Sequence, residues 1–404
     1  MGDSRAAARL ALLGCGQMGR SAAYALATER DTAELTLLDR DRSRAEGVAR
    51  WLAGHATCRV TVAGTIEEAV RRRDAVAMAL PWAATRDCLD AAVRAGVPVA
   101  SVTRPPYAEL VELASRAGAG SSPVLLPIGL EPGLTELLAV HASGLLDRVD
   151  TVHIGCGGIP RRPREPWGYT AFFGGEQADH LPIAQRDALS ARGGRVVAVP
   201  RFSGVETREI EDVGLLEAYH DGMVPWLPEH PAFARADCTQ KTLRWPGFAS
   251  RVGELARLGL LGERPVDVDG TPVIPRRLVE RVVAPQVRPE PHERDLVVLD
   301  VLAHGVAAGR AATVRTRLLD AFDPDTGLSA IARTTGFTLA AATRLLAEGR
   351  LPGKGWRKPH LAVTGPLFAA VMSALTTRGV RWSAAGHVTP AGPAADACRE
   401  RKET

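Results

Sequence analysis

The sequence predicts an α/β chain, an N-terminal doubly wound parallel sheet joined to a second α/β domain with a mixed sheet. Three observations predict it. Residues 10–39 read LALLGCGQMGRSAAYALATERDTAELTLLD, a strand, a glycine turn, a helix and a second strand ending in an acid. Short β-rich runs then alternate with helical stretches as far as residue 128, the pattern of successive βα units. Beyond about residue 134 that alternation breaks down, and strand-like pieces with few intervening helices follow.

In the glycine turn each residue has a physical reason. Gly14 allows the tight exit from the first strand, Gly16 leaves no side chain between backbone and pyrophosphate, and Gly19 lets the helix pack close to the sheet. The free N–H groups of the helix start, around Gln17 and Met18, then meet the diphosphate of a dinucleotide. This is a Rossmann fingerprint. Asp39, twenty residues beyond Gly19, suits the ribose hydroxyls of NAD and repels the 2′-phosphate of NADP. Arg40 beside it is able to pair with that phosphate, so NADP stays open.

Further strands are expected at 59–62, 75–80, 98–102 and 124–128, with helices near 66–72, 86–95 and 107–116. Ligands of such sheets bind at the carboxyl ends of the strands, which makes Leu80, Pro81, Trp82, Ser101, Thr103 and the turn 129–133 pocket candidates. In the second half, helices are expected at 134–145 and 250–261, and strands at 151–156, 194–200, 205–210 and 295–301. Helical patterns at 328–333, 339–349 and 367–378 close the chain, followed by a polar, Ala-rich tail expected to fray. The division expected is 1–130 for the dinucleotide domain, 131–355 for substrate and dimerisation, and 356–404 for a helical segment packing back on the first domain.

Composition excludes several function classes. With 404 residues and 46% apolar content the chain can bury a large core, and no apolar run approaches the roughly 20 residues that span a bilayer. Its start leads straight into the first strand without a cleavable signal, so a cytoplasmic protein without membrane partners is expected. Net charge is +4, spread without basic blocks, which gives nucleic-acid binding no support. Of the 50 basic residues only Lys241, Lys354, Lys358 and Lys402 are lysines, a bias that fits a GC-rich coding sequence. The six cysteines, at 15, 58, 88, 156, 238 and 398, form no CxxC pair, and neither they nor the ten histidines have metal-site spacing, so reduced thiols and no metal are expected.

Five phrases carry a family likeness: IGLEPGLTELL (128–138), GCGGIPRRPREPWGYTAFF (155–173), LLEAYHDG (215–222), KTLRWPGF (241–248) and RTRLLDAFDPDTGLSAIARTTGF (315–337). In this order they resemble the saccharopine dehydrogenase superfamily, in particular its lysine 6-dehydrogenase-like branch. The resemblance spans about residues 8–380. It implies a Rossmann domain plus an α/β substrate domain that forms a homodimer. The implied chemistry is oxidation of an amine-bearing carbon to an imine, with NAD(P) accepting hydride from an amino-acid or amine substrate. Related members join an amine and an aldehyde reductively, as in saccharopine or carboxynorspermidine formation. Two departures stand out. His220 and Asp221 occupy a place where relatives often have Thr, and 172–182 lacks the polar pattern of the lysine enzymes.

The chemistry calls for an acid/base and a carboxylate clamp. Glu131, on a Pro-Gly turn at the crevice, is the first candidate for the acid/base; the alternative is an ion pair with an Arg that holds the turn. Arg244 has the planar fork that binds an α-carboxylate, and Arg104 offers the same group. Lys241 either binds a carboxylate, exchanges protons, or simply snorkels from a strand. Tyr169 either donates to substrate or packs with Trp167, Phe172 and Phe173, with packing favoured. Thr103 either reaches the nicotinamide or substrate, or caps its strand. His220 ranks behind Glu131 as an acid/base. Besides amine oxidation, three readings remain open: reductive condensation, a cyclodeaminase-type reaction that recycles NAD internally, and NAD binding without turnover.

Overall fold

The computed structural model describes residues 7–172, 187–290 and 293–388. Strands β1 (Ala8–Leu13), β2 (Thr32–Leu38), β3 (Arg59–Val62), β4 (Ala75–Met78), β5 (Val99–Ser101) and β6 (Pro123–Leu125) lie in the order β6-β5-β4-β1-β2-β3. Every neighbouring pair is parallel. Such a sheet, covered on both faces, needs continuous apolar runs, and β4 and most of β1 are fully buried. The order reverses between β1 and β4, which opens a crevice at the carboxyl ends of those strands. This is the doubly wound Rossmann-type sheet that the sequence predicts.

The remaining strands are β7 (Arg148–Pro160), β8 (Asp187–Arg192), β9 (Arg195–Pro200), β10 (Glu206–Ile210), β11 (Gly214–His220), β12 (Asp237–Arg244), β13 (Val266–Val268), β14 (Thr271–Val273), β15 (Asp295–Ala307), β16 (Arg310–Ala321), β17 (Gly355–Arg357) and β18 (Arg381–Val388). Among the described residues a nine-stranded sheet runs β10-β11-β12-β7-β15-β16-β18, with β8 and β9 attached through β12. It is mixed: β12 and β7 are parallel, whereas β11–β12, β7–β15, β15–β16 and β16–β18 are antiparallel. Several strands run longer than their sequence signal, β7 and β15 most of all.

The last third of the chain departs from expectation. The two helical pieces expected at 328–333 and 339–349 are one helix, Ala330–Ala347, begun by Ser329 accepting from Ala332 N and by the buried Asp295 accepting from Ala330 N and Ile331 N. It packs on the first helix, Gln17–Ala27, at Gly336, where a Cβ would lie 2.6 Å from Met18 O and 2.7 Å from Ala22 N. The segment expected to be helical after 356 holds the helix Pro366–Thr376, but it ends in β18 of the second sheet. Just before it, β17 adds a seventh strand to the first sheet, parallel to β6. One apolar core, including Leu10, Leu35, Ile154, Leu299 and Phe337, runs from one sheet to the other. Among the described residues no helix is long and apolar enough to cross a membrane. The expected tail and Cys398 lie outside the described residues, and the other five cysteines are free thiols.

Candidate active site

The glycine turn is built for close backbone approach. Gly14 has φ +93°, and a Cβ there would meet Ala79 O at 2.3 Å; a Cβ on Gly19 would meet Gly14 O at 1.8 Å. A Cβ on Gly16, by contrast, would meet nothing within 4 Å. The helix Gln17–Ala27 begins there with no side-chain cap and no acid in its first turn, so the N–H groups around Gln17 and Met18 face that open space. Bare donors beneath a void that only a side chain would fill fit a dinucleotide diphosphate. Leu80 flanks the turn, its Cδ2 2.9 Å from where a Gly14 Cβ would stand, and Pro81 caps the following helix. Asp39 lies at the end of β2, where Oδ2 accepts from Cys15 N (2.7 Å) and Oδ1 from Asp41 N (2.9 Å). Arg44 stands 3.8 Å from Asp39, and Arg40 is exposed beside it.

From Met18 a cleft of about 420 Å³ opens between the two large sheets. Its walls include Arg104 and Glu131 from the first-domain side, Cys156 and Thr242 from the second sheet, and Thr335 of the helix Ala330–Ala347. Glu131 projects from the turn that follows β6. Its Oε1 accepts from Gln240 Nε2 at 2.6 Å, and the Cys156 thiol also donates to it. The carboxyl is open to cleft water but walled by protein, and burial holds its pKa above the ordinary glutamate range. The negative charge of Asp221 adds to that rise, against the pull of Gln240 and Arg104.

Opposite, Asp221 follows β11. It accepts from Arg201 Nε at 2.6 Å and from Thr242 Oγ1 at 2.9 Å. Arg244, 4% exposed, donates Nη1 to Leu243 O (3.0 Å) and Gly158 O (3.3 Å), and its guanidinium lies 5.1 Å from the Tyr169 ring centre. Its Nε is buried without a partner, and among the described residues no carboxylate lies within ion-pair distance of it. A buried, uncompensated guanidinium is costly unless an anion arrives to meet it. Nearby Tyr219 is fully buried, its hydroxyl also without a hydrogen-bond partner among the described residues.

Residues 129–380, more than half of the chain, match the family described as Saccharopine dehydrogenase C-terminal domain. The chain belongs to that family. Residues 3–110 match the Ornithine cyclodeaminase/mu-crystallin family. Among solved structures, the chain is similar to apo saccharopine dehydrogenase (L-Glu forming) from Saccharomyces cerevisiae, with a TM-score of 0.76 at 19% identity over 94% of this chain and 100% of that one. A dehydrogenase from Clostridium difficile aligns with a TM-score of 0.41 at 9% identity, over 92% and 98% of the two chains.

In this member of the saccharopine dehydrogenase family the cleft gathers Glu131, Arg244, Arg104 and Met18, and places other sequence-derived candidates elsewhere. Lys241 alternates with Thr242 along β12 and points to the far face, donating to Gly204 O (2.7 Å) and pairing with Glu206 (2.8 Å). His220 is its cross-strand partner on that same face, its pKa lowered by burial and by Lys241. Neither lines the cleft. Thr103 is buried and donates to Leu80 O at 2.6 Å within a hydroxyl cluster that includes Ser101 and Thr85. Tyr169 sits in an aromatic core with Trp167, Tyr219 and Phe248, beneath Arg244, and burial pushes its phenol up to about 12. Phe172 packs in the larger core, whereas Phe173 lies outside the described residues.

Sequence reasoning missed Asp221 and Arg201 as cleft residues, and Gln240 and Cys156 as partners of Glu131. A signal for Asp221 was present, since an Asp-Gly pair ending a strand marks a rim turn.

Proposed function

We propose that this protein is an NAD(P)-dependent oxidoreductase that interconverts an amine and an imine on an amino-acid substrate. The observation that carries this is a buried guanidinium, Arg244, with no carboxylate within ion-pair distance among the described residues, in one cleft with a proton-affine carboxyl, Glu131. When bound over Gly16 and the helix start, the nicotinamide dinucleotide supplies the hydride acceptor, and NAD is favoured by Asp39. Arg244 holds the substrate carboxylate through two parallel hydrogen bonds. Glu131, kept basic by its surroundings, takes the proton from the substrate nitrogen so that the amine is neutral when hydride departs. Gln240 and Cys156 fix the Glu131 carboxyl, and the Asp221–Arg201–Thr242 group forms the opposite wall. Calorimetry with NAD and NADP, followed by nicotinamide absorbance with basic amino acids, tests the reading. No binding of either coenzyme, or binding without absorbance change or altered product mass, overturns it; altered mass without net NADH marks internal recycling.

A second reading, reductive condensation of an amine with an aldehyde, is supported by one further observation. Arg104 also lacks a carboxylate within ion-pair distance among the described residues and enters the cleft from the other domain, donating Nη2 to Met223 O at 3.1 Å. Two guanidiniums that lack a carboxylate within ion-pair distance among the described residues suit a substrate assembled from two carboxylates. Oxidation of NAD(P)H with an amino acid and a semialdehyde together, but with neither alone, is its signature.

A further inference from the structure

Beneath the Glu131 turn lies a second carboxyl that the reaction above does not use. Glu136, at the third position of the helix Leu134–Ser143, is 3% exposed. Its Oε2 accepts from Gly133 N at 2.6 Å, while Oε1 is buried without a hydrogen-bond partner among the described residues. Gly133 closes the loop that projects Glu131, in which Gly129 N donates to Pro132 O and Leu134 N to Gly129 O, both at 2.9 Å.

No lysine, arginine or histidine pairs with Glu136 among the described residues. The groups facing it are the Gly133 N–H, the Thr135 hydroxyl on its own helix and Glu131 on the turn. Cys156 of β7 feels both carboxyls. Glu131 in turn faces Asp221, Gln240, Arg104 and Cys156. An ordinary capping carboxylate sits at a solvent-exposed helix start; this one is buried, half satisfied and beside a second acid.

We propose that Glu136 is a positioning residue for Glu131, pinning its turn through the Gly133 N–H and setting its proton affinity through the charge the two carboxyls share. Burial pushes Glu136 up to about 7, with the Gly133 N–H acting against it, so its charge changes near neutral pH. Two such carboxyls release their protons in steps that belong to the pair. With Glu136 ionised, Glu131 becomes a stronger base; with Glu136 protonated, a weaker one.

The inference rests on Glu131 being the acid/base, yet its test needs no turnover. Glutamates carrying a carbon-13 label at the side-chain carboxyl are titrated by NMR in the full chain, in Glu136→Gln and in Glu131→Gln. The unsubstituted protein is expected to show two coupled steps. Each single variant is expected to leave one step, below the upper step of the pair, and the shifts are equal in both directions because coupling is reciprocal. Glu131 lies in the open cleft, so Glu131→Gln reports the coupling even if Glu136→Gln fails to fold. Independent titrations, unmoved by the other substitution, overturn the proposal.

Turnover, once found, supplies the second readout. Glu136→Gln keeps an acceptor for Gly133 N–H and is expected to leave KM unchanged while moving the acidic limb of the pH profile downward; Glu136→Ala is expected to lower kcat at every pH. A Glu136→Gln profile that overlies the unsubstituted one also overturns the proposal. Coupling without turnover would sink the reaction and spare the pair; turnover without coupling would do the reverse.

Discussion

Strand β12 carries two cations on its two faces, three residues apart and almost equally buried, Lys241 at 6% exposure and Arg244 at 4%. On the far face Lys241 is satisfied, with a carbonyl at 2.7 Å and Glu206 at 2.8 Å. On the cleft face Arg244 has backbone carbonyls, an aromatic ring and an orphan Nε, and among the described residues no carboxylate within ion-pair distance. Burial alone does not separate a structural cation from a functional one. On the reading proposed above, what separates them is whether the fold itself completes the charge, an open buried cation being a place for a substrate anion.

The sharpest way to break this comparison is to remove each charge while keeping its volume. Arg244→Met is expected to lower kcat/KM by about 10³-fold, the loss of two charge-assisted hydrogen bonds, while its melting temperature holds or rises because a buried unpaired charge is gone. Steady-state kinetics and calorimetric melting check both halves. Glu131→Gln is expected to lower kcat by about 10²-fold or more. If the proposed reaction holds, amine oxidation by the unsubstituted protein should weaken as pH falls through a pKa higher than that of an ordinary glutamate, because the raised carboxyl takes up its proton early and no longer serves as base. A pH profile of kcat/KM reads the sign.

Smaller effects sharpen the contrast. Gly16→Ala places a methyl in the open space over the helix start, where no atom of the described residues beyond its own chain neighbours lies within 4 Å. It should leave folding intact and weaken dinucleotide binding by about 10-fold, roughly 1.4 kcal/mol, in calorimetry. Gly19→Ala collides with Gly14 O and should lose stability as well. Lys241→Met should cost about 1 kcal/mol of stability through its half-exposed partner Glu206 and change kcat/KM by less than about twofold. Should Lys241→Met fail in turnover as Arg244→Met does, the distinction between the two faces is wrong.

The sequence signals were uneven for physical reasons that this same strand illustrates. In the first sheet, glycines, apolar runs and Asp39 each act through local geometry, so the fingerprint could be read residue by residue. The turn carrying Glu131 was readable for the same reason, Pro and Gly forcing the chain. β12 gave no such guide. It is central, both its faces are buried, and Cys238 to Arg244 are buried without alternation, so period two cannot reveal which residues share the cleft. Arg244 and Lys241 therefore looked alike. Phase also misplaced His220 by one residue, its neighbour Asp221 being the group that lines the cleft. The helix Ala330–Ala347 read as two pieces because Thr334, Thr335 and Gly336 are poor helix formers; tertiary packing overrides them, Gly336 being required by the approach of Met18 and Ala22. The hairpin between β15 and β16 was legible in principle, since Ala308 and Gly309 both take positive φ at its tip, but only the glycine advertises it.

Among the described residues the main chain passes between the two sheets three times: after β6, before β17 and again before β18. A coenzyme module bounded by one linker could be exchanged between enzymes as a cassette. Here a strand from residues 355–357 completes the first sheet. Any graft that ends near residue 130 would leave behind a raw sheet edge inviting aggregation, so chimaeras of this protein must transplant two distant stretches together.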